Sequence, residues 1–454
     1  MVTPSPAWGE ARSPGISYQQ LLDTDTHEVP AVLRLESPRY AGSADVAVDR
    51  YITRAWHELE VERLWKRVWQ FACREEDIPR PGDYRIYEIA TMSFIVMRTP
   101  DGSIKCYPNA CLHRGRQLKD YDGHCSELRC SFHAFAWTLD GELSHVPAQW
   151  DFPHIDPDGF HLPELQVGTW AGFVFVNPDR EAAPLADFIG DMAGHFSTWD
   201  LAGAYTEAHV CKVIHANWKV TQEAFCEAYH VSGTHPQILP YLGDTNSQVD
   251  VWDNFSRVIT PGGTPSPLLD SEPSQQDMMR AMLDAREGNE SPVTLDEGQS
   301  MRAYAAALGR DRWRPIVGDR VESMSDAEMM DSLDYTLFPN FHPWGAFNRI
   351  VYRFRPNGDD HRSSIMEVLF LSPFSGERPP PAPVHWLEEH ESWSAATELG
   401  MLGKVFDQDL FNMAKVQKGL ETTFKPGVTL ANYQEGKVRW LHDKLTEWTA
   451  GAPR

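Results

Sequence analysis

The feature that most restricts this chain is a doubled motif. Cys111-Leu-His113-Arg-Gly is followed by Cys130-Ser-Phe-His133, with sixteen residues between His113 and Cys130. Each half supplies one thiolate and one imidazole. The turn signals Asp101-Gly102, Asp122-Gly123 and Asp140-Gly141 surround them. Two loops of this kind on hairpin-like strands can close around a compact metal centre. Thiolate and imidazole suit zinc and iron–sulfur clusters alike. Ligand order separates the two. Zinc fingers usually pair two Cys and then two His. The spacing C-x-H with C-x2-H lets both thiolates take one iron and both imidazoles the other, which is the ligation of a Rieske [2Fe–2S] cluster. Zinc stays the competing occupant at this point. Cys106 and Cys125 lie off the pattern and read as structural thiols. The chain has only seven cysteines in 454 residues, irregularly spaced. That excludes a disulfide scaffold and fits cytosolic thiols better.

A second cluster lies downstream. Asn217-Trp218-Lys219 opens a run predicted as a helix over 217–231, and Glu227-Ala-Tyr-His230-Val-Ser-Gly-Thr-His235-Pro236 spans its end. Glu227 and His230 are three apart and would share one helix face. Gly233 and the residue before Pro236 are poor helix formers, so the helix should unwind there and turn His235 back beside His230. Two imidazoles at such a break need one carboxylate to make a facial triad that holds Fe(II) and leaves positions open for O2. Periodicity finds a candidate. In a helix predicted over 397–421, Leu402, Val405, Phe406, Met413, Val416 and Leu420 form one apolar stripe, and Asp409 falls inside it while Asp407 falls off it. A buried carboxylate calls for a cation. A metal and a basic side chain both answer that need, and the nearby His pair favours the metal.

The rest of the chain organises around these clusters. Residues 1–45, rich in Pro, Ser and Gly, read as an N-terminal arm, surface-hugging or disordered. Residues 46–185 read as a leading helix at 53–69 followed by strands and turns from Tyr84 to Val176, a small all-β domain. Residues 186–454 carry a strand-like run at Cys211–Ile214, the two helices, and strands at Arg349–Arg355 and Ile365–Leu371 joined by a Pro356-Asn357-Gly358 turn. Within them, the polar, acidic stretch 264–320, with two short helices, reads as an insertion or lid. The class is α+β. A net charge of −24 argues against nucleic-acid and membrane-surface partners. No run approaches the roughly 18 apolar residues of a membrane span. Met1–Gln20 lacks the pattern of a secretory leader, so a cytoplasmic protein is expected.

Taken together, these residues resemble the Rieske-type non-haem iron oxygenases, in particular the large catalytic (alpha) subunits of the aromatic ring-hydroxylating members. The likeness includes Arg114-Gly115 after the first His, Trp137-Thr-Leu-Asp140-Gly141 after the second, and Gln417-Lys-Gly419 after Asp409. It extends over about residues 50–445. Ala134 and Phe135 depart from the family's Gly-Trp, Glu227 from a common Asp, and Ala224 from a common Asn.

The resemblance implies a Rieske [2Fe–2S] domain holding its cluster on Cys111, His113, Cys130 and His133. It implies a helix-grip, START-like catalytic domain of antiparallel sheet with helices, holding one mononuclear Fe(II) on His230, His235 and Asp409. It makes Glu227 the acidic bridge to the cluster of a neighbouring subunit, hence a homotrimer, with a beta subunit optional. No G-x-G-x-x-G opens a helix after a strand, so a separate NAD(P)H-dependent reductase, with or without a ferredoxin, is implied as electron donor. Phe225, Leu239, Phe341, Trp344 and Phe406 are candidates for a pocket that takes O2's co-substrate, an apolar aromatic or cyclic molecule. A quaternary amine held by aromatic faces, or a demethylation, is the alternative. A carrier holding only the Rieske cluster is the alternative outside enzymes, and the long region after the β domain argues against it.

Overall fold

The structure is a computed structural model that describes residues 15–283 and 292–450. The N-terminal 14 residues of the arm and residues 284–291 of the 264–320 stretch lie outside the described residues.

The doubled motif sits in a small unit of short antiparallel sheets. Strands Asp83–Ile89, Met92–Arg98, Ile104–Pro108 and Gly123–His124 form one; Leu128–Arg129, Ala136–Trp137 and Leu143–His145 form a second. Gln70–Arg74, Gln166–Trp170 and Phe173–Asn177 form a third. Side chains alternate across the first sheet, as a period of two requires. Tyr84, Ile95, Met97 and Tyr107 pack towards Cys111 and Cys130. Tyr87, Ile89, Phe94 and Val96 pack on the other face, against Leu64, Trp65 and Val174. The leading helix is Arg54–Glu60, which widens into a π-helical turn at Val61–Trp65 rather than running to residue 69.

The larger unit is built on an eight-stranded sheet. Its spatial order is Gln248–Val251, Phe255–Thr260, Ser332–Leu337, Phe341–Pro343, Ile350–Asn357, Asp360–Ser372, Tyr205–Ile214 and His385–Leu387. All neighbours are antiparallel except the last pair. Strand Ile350–Asn357 shows how the sheet serves two neighbours. Ile350, Tyr352 and Phe354 pack on Phe406 and Met413 of the long helix Met401–Thr422. Val351 joins Phe71, Phe173 and Phe175 on the opposite face, and Arg353 donates to the carbonyls of Phe71 and Ala72. One face therefore carries the long helix, and the other docks the β unit.

Two links tie the remaining chain down. Glu60 of the leading helix, 1% exposed, accepts from Lys219 Nζ at 2.6 Å and Trp218 Nε1 at 2.9 Å. In the arm, Tyr18, Leu22 and Leu33 are buried against the sheet, and Asp25 pairs with Arg302 at 3.2 Å. Arg302 opens the helix Met301–Val317, which at 17 residues is longer than the short helix expected there. The shorter helix is Gln275–Met282, and Met278, Met279 and Met301 pack together beside Tyr241. No helix among the described residues is long and apolar enough to cross a membrane.

Candidate metal centres

The two Cys-His loops are copies of one backbone design. Gly115 N donates to Cys111 O at 2.8 Å, and Ala134 N to Cys130 O at 3.0 Å. Cys111 N donates to Arg116 O and Cys130 N to Phe135 O, both at 2.8 Å. The residue four beyond each Cys takes a positive φ, +78° at Gly115 and +60° at Ala134. This explains the second loop's usual Gly. Ala134 adopts the same left-handed conformation at a cost of about 1 kcal/mol. Phe135 fills the place of the usual Trp, fully buried and stacked on His113 at 4.5 Å. Both cysteines are buried, while His113 and His133 are half-buried with rings 4.7 Å apart at 75°. Burial, with His133 and Arg114 alongside, pushes the His113 imidazole below its ordinary pKa. Two thiols inside and two imidazoles outside is the donor set of a two-iron cluster. Two other groups of donors gather within 4.8 Å among the described residues. These four do not, and ligands divided between two irons need not converge on one point.

The second cluster is assembled by a break. The helix expected over 217–231 ends at Glu223, and a short helix restarts at Val231–Thr234. Glu227 and His230 therefore share no helix face. Their meeting comes from capping instead. Glu227 Oε2 accepts the His230 backbone N–H at 2.9 Å, and Oε1 lies 3.0 Å from His230 Nδ1. Chain reversal at Gly233–Pro236 sets the His230 and His235 rings 5.3 Å apart. Asp409 Oδ1 is 2.8 Å from His235 Nε2 and 3.6 Å from His230 Nε2. Asp409 is only 4% exposed. His235 Nδ1 lies 2.9 Å from Gln408 Oε1. With each Nδ1–H donating to Glu227 or Gln408, both Nε2 lone pairs face the Asp409 carboxylate. Three converging lone pairs in a buried site call for a cation, and two imidazoles with one carboxylate suit Fe(II). Burial opposes protonation of His230, but the Glu227 hydrogen bond, with Asp409, outweighs it and raises the imidazole's pKa.

The other triple within 4.8 Å is His209, Cys211 and Glu367. Arg353 and Arg355 already pair with Glu367 at 2.6 and 2.8 Å, so this carboxylate is neutralised and fits no metal.

The expected pocket residues divide. Phe225 packs on Tyr352, Phe354 and Phe406 at 5.1–5.9 Å, forming an aromatic wall beside the triad. Trp344 packs edge-on to Tyr352 at 5.8 Å. Leu239 sits apart with Ala228 and Val231. Phe341 is not a pocket residue. It lies 4.8–5.2 Å from Phe71, Phe173 and Phe175 at the seam with the β unit, because its strand neighbour His342 takes the inner face. Val416, expected in the buried stripe, is 48% exposed, whereas the polar Gln417 is buried and accepts from Asn217 N at 2.9 Å. Gln408 is the residue that sequence reasoning missed. Its only signal is that it adjoins Asp409.

Residues 194–451 match the model of the ring hydroxylating alpha subunit (catalytic domain) family, and residues 68–156 match the Rieske [2Fe-2S] domain. The chain belongs to the ring-hydroxylating alpha subunit family. Its cofactors are accordingly a [2Fe–2S] cluster and a mononuclear non-haem iron. Among its relatives is the chlorobenzene dioxygenase subunit alpha of Cupriavidus sp. (strain PS12), 33% identical over 201 residues, 43% of this chain and 44% of the relative. The naphthalene 1,2-dioxygenase large oxygenase component of Pseudomonas putida is 34% identical over 192 residues, 40% of this chain and 42% of the relative. The matches thus span less than half the length of these curated relatives. Solved structures share the fold over far more of the chain. A quaternary ammonium Rieske monooxygenase aligns with TM-score 0.64 at 16% identity, over 90% of this chain and 96% of the other. Naphthalene 1,2-dioxygenase from Rhodococcus sp. aligns with TM-score 0.60 at 20% identity, over 90% and 95%.

Proposed function

We propose that this chain is the catalytic large subunit of a multicomponent oxygenase. It hydroxylates an aromatic or cyclic molecule with O2, using electrons passed from NAD(P)H by a separate reductase, with or without a ferredoxin. The convergence of His230, His235 and Asp409 on one buried point carries the reading. In it, Cys111, His113, Cys130 and His133 hold the cluster, and His230, His235 and Asp409 hold the iron. When bound, the cluster supplies electrons one at a time and the iron binds and activates O2.

The chain's own residues orient and shield. Glu227 and Gln408 fix the two Nδ1 atoms, which sets the tautomer and aim of each ring. Phe225, Tyr352 and Phe406 keep bulk water from the sheet side of the triad. Glu227 borders a cavity of about 200 Å³ with Glu223, His230 and Glu435. The half-exposed His113 and His133 of a second copy would approach Glu227 from that side, so a homotrimer is part of the proposal; a beta subunit is compatible with it. Residues 46–185 act as the Rieske unit and 186–454 as the catalytic unit, with the described parts of 264–320 as an insertion or lid. A cytoplasmic location suits the reduced thiols.

The test is O2 uptake with a surrogate reductase across aromatic and alicyclic compounds. Uptake matched by hydroxylated product is expected. Iron-replete protein that exchanges electrons but consumes no O2 with any compound is a carrier, and the proposal fails.

A further inference from the structure

The inner face of the large sheet carries polar atoms that nothing around them satisfies. Asn340, His342 and Trp344 follow one another at a spacing of two, so they share the face that carries Tyr352 and Phe354. Each ends in a buried atom without a hydrogen-bond partner: Asn340 Oδ1, His342 Nε2 and Trp344 Nε1. Two more come from neighbouring elements. Asp334 Oδ1, on the adjacent strand, lies 3.7 Å from His342 Nδ1, and Gln222 Oε1 comes from the helix Trp218–Glu223 packed on the sheet. Gln222, Asn340 and His342 are at most 1% exposed.

Local bonds fix which atom each side chain leaves over. Gln222 Nε2 donates to Pro339 O at 2.8 Å, and Asn340 Nδ2 to Phe354 O at 2.6 Å, so both amides present oxygen. Asp334 Oδ2 is held by Lys437 Nζ at 2.7 Å, which neutralises that carboxylate and leaves Oδ1 as an acceptor. Trp344 Nε1 is a donor, whereas Gln222, Asn340 and Asp334 present acceptors, so the row is rich in acceptors and close to neutral. An unsatisfied buried group costs about 1–3 kcal/mol, and native interiors rarely keep several together without a use. The complement of three neutral-to-polar acceptors among aromatic rings is an uncharged donor, an O–H or N–H on a ring. A quaternary ammonium offers no such donor and would face the Lys437 cation.

The row also packs against the aromatic wall. Phe354 packs on His342 at 5.1 Å and on Phe225 at 5.2 Å; Tyr352 packs on Phe406, three residues before Asp409, at 5.9 Å. At its outer end Trp344 lines a cavity of about 260 Å³ with Trp199, Met324, Arg349 and Leu371.

We propose that Gln222, Asp334, Asn340 and His342 form a specificity row that holds a neutral hydroxyl or amino substituent of the ring substrate, selecting substituted rings over plain hydrocarbon. The word substrate rests on the oxygenase reading, but the test reads binding alone. Isothermal titration of the full-length, iron-loaded protein uses 2-naphthol, naphthalene and 2-methoxynaphthalene, of which only the first can donate. 2-Naphthol should bind at least about tenfold more tightly than the other two, a gap of about 1.4 kcal/mol. Asn340→Leu and His342→Phe, checked for fold by circular dichroism and for iron content, should shrink that preference below about threefold. Equal binding of the three probes by the natural protein, as expected if the row holds only water, overturns the proposal. So does a preference that survives both substitutions. A preference that holds in a protein that never consumes O2 leaves this row standing and removes the oxygenase reading instead.

Discussion

Replacing Glu227 with Gln separates holding iron from using it. The carboxylate accepts two N–H groups of His230 at once, the backbone at 2.9 Å and Nδ1 at 3.0 Å. Gln keeps the shape but has one acceptor oxygen, so its amide N–H2 must face one of those donors. One charge-assisted bond is lost, worth about 1.5–3 kcal/mol. Such an outer contact typically costs about 10–100-fold in metal affinity, and a site that starts tight stays filled at micromolar iron. The role proposed for Glu227 in linking His230 to the cluster of a second copy depends on its charge as well. Steady-state turnover should therefore fall by about 100-fold or more, equal to about 2.7 kcal/mol at the barrier. The assay measures iron content, the visible spectrum of the cluster and product formation on one preparation. Full iron, an unchanged spectrum and collapsed turnover are the expected result. Turnover within about twofold of the natural protein refutes the argument.

Two further outcomes concern the frame around the site. Glu60→Ala leaves Lys219 as a buried, unpaired cation, because Glu60 is its partner at 2.6 Å. Denaturant unfolding should show a loss of about 3–5 kcal/mol, largely recovered when Lys219→Met is added; no loss contradicts the pairing. Burial, with Arg257 nearby, pulls His195 down from 6.5 to about 4. A depressed folded pKa favours the neutral ring, so its stabilisation is present above pH 6.5 and disappears as pH falls through 4. The thermal midpoint should drop over that window by the equivalent of up to about 3 kcal/mol. His195→Phe should flatten that part of the curve, and an unflattened curve refutes the assignment.

Much of the chemistry was legible in the residues. Paired Cys-His spacing is local, and the loops that carry it repeat one hydrogen-bond pattern around Cys111 and Cys130. Asp409 could be picked out because a carboxylate inside an apolar stripe is costly unless paired. What periodicity hid was tertiary. The segment Ala224–Tyr229 holds three good helix formers, Ala224, Glu227 and Ala228, and no Gly or Pro, yet it leaves the helix because Glu227 caps His230 and Phe225 turns into the aromatic wall. Phe341 looked like a pocket residue because hydrophobicity does not say which face of a strand looks at which neighbour. A one-residue change of face sent it to the seam with the β unit and put His342 inside. The stripe of the long helix placed Val416 in the core, whereas Gln417 turns in to reach Asn217. Gln408 escaped notice because a lone amide carries no periodic or motif signal.

Two different iron environments in one polypeptide make metal stoichiometry the decisive measurement. The natural protein should hold about three irons and two acid-labile sulfides per chain, red-brown in colour. His235→Ala should remove one iron and leave the sulfides and the colour intact. Zinc in place of iron, or a His235→Ala protein that keeps every iron, contradicts the account.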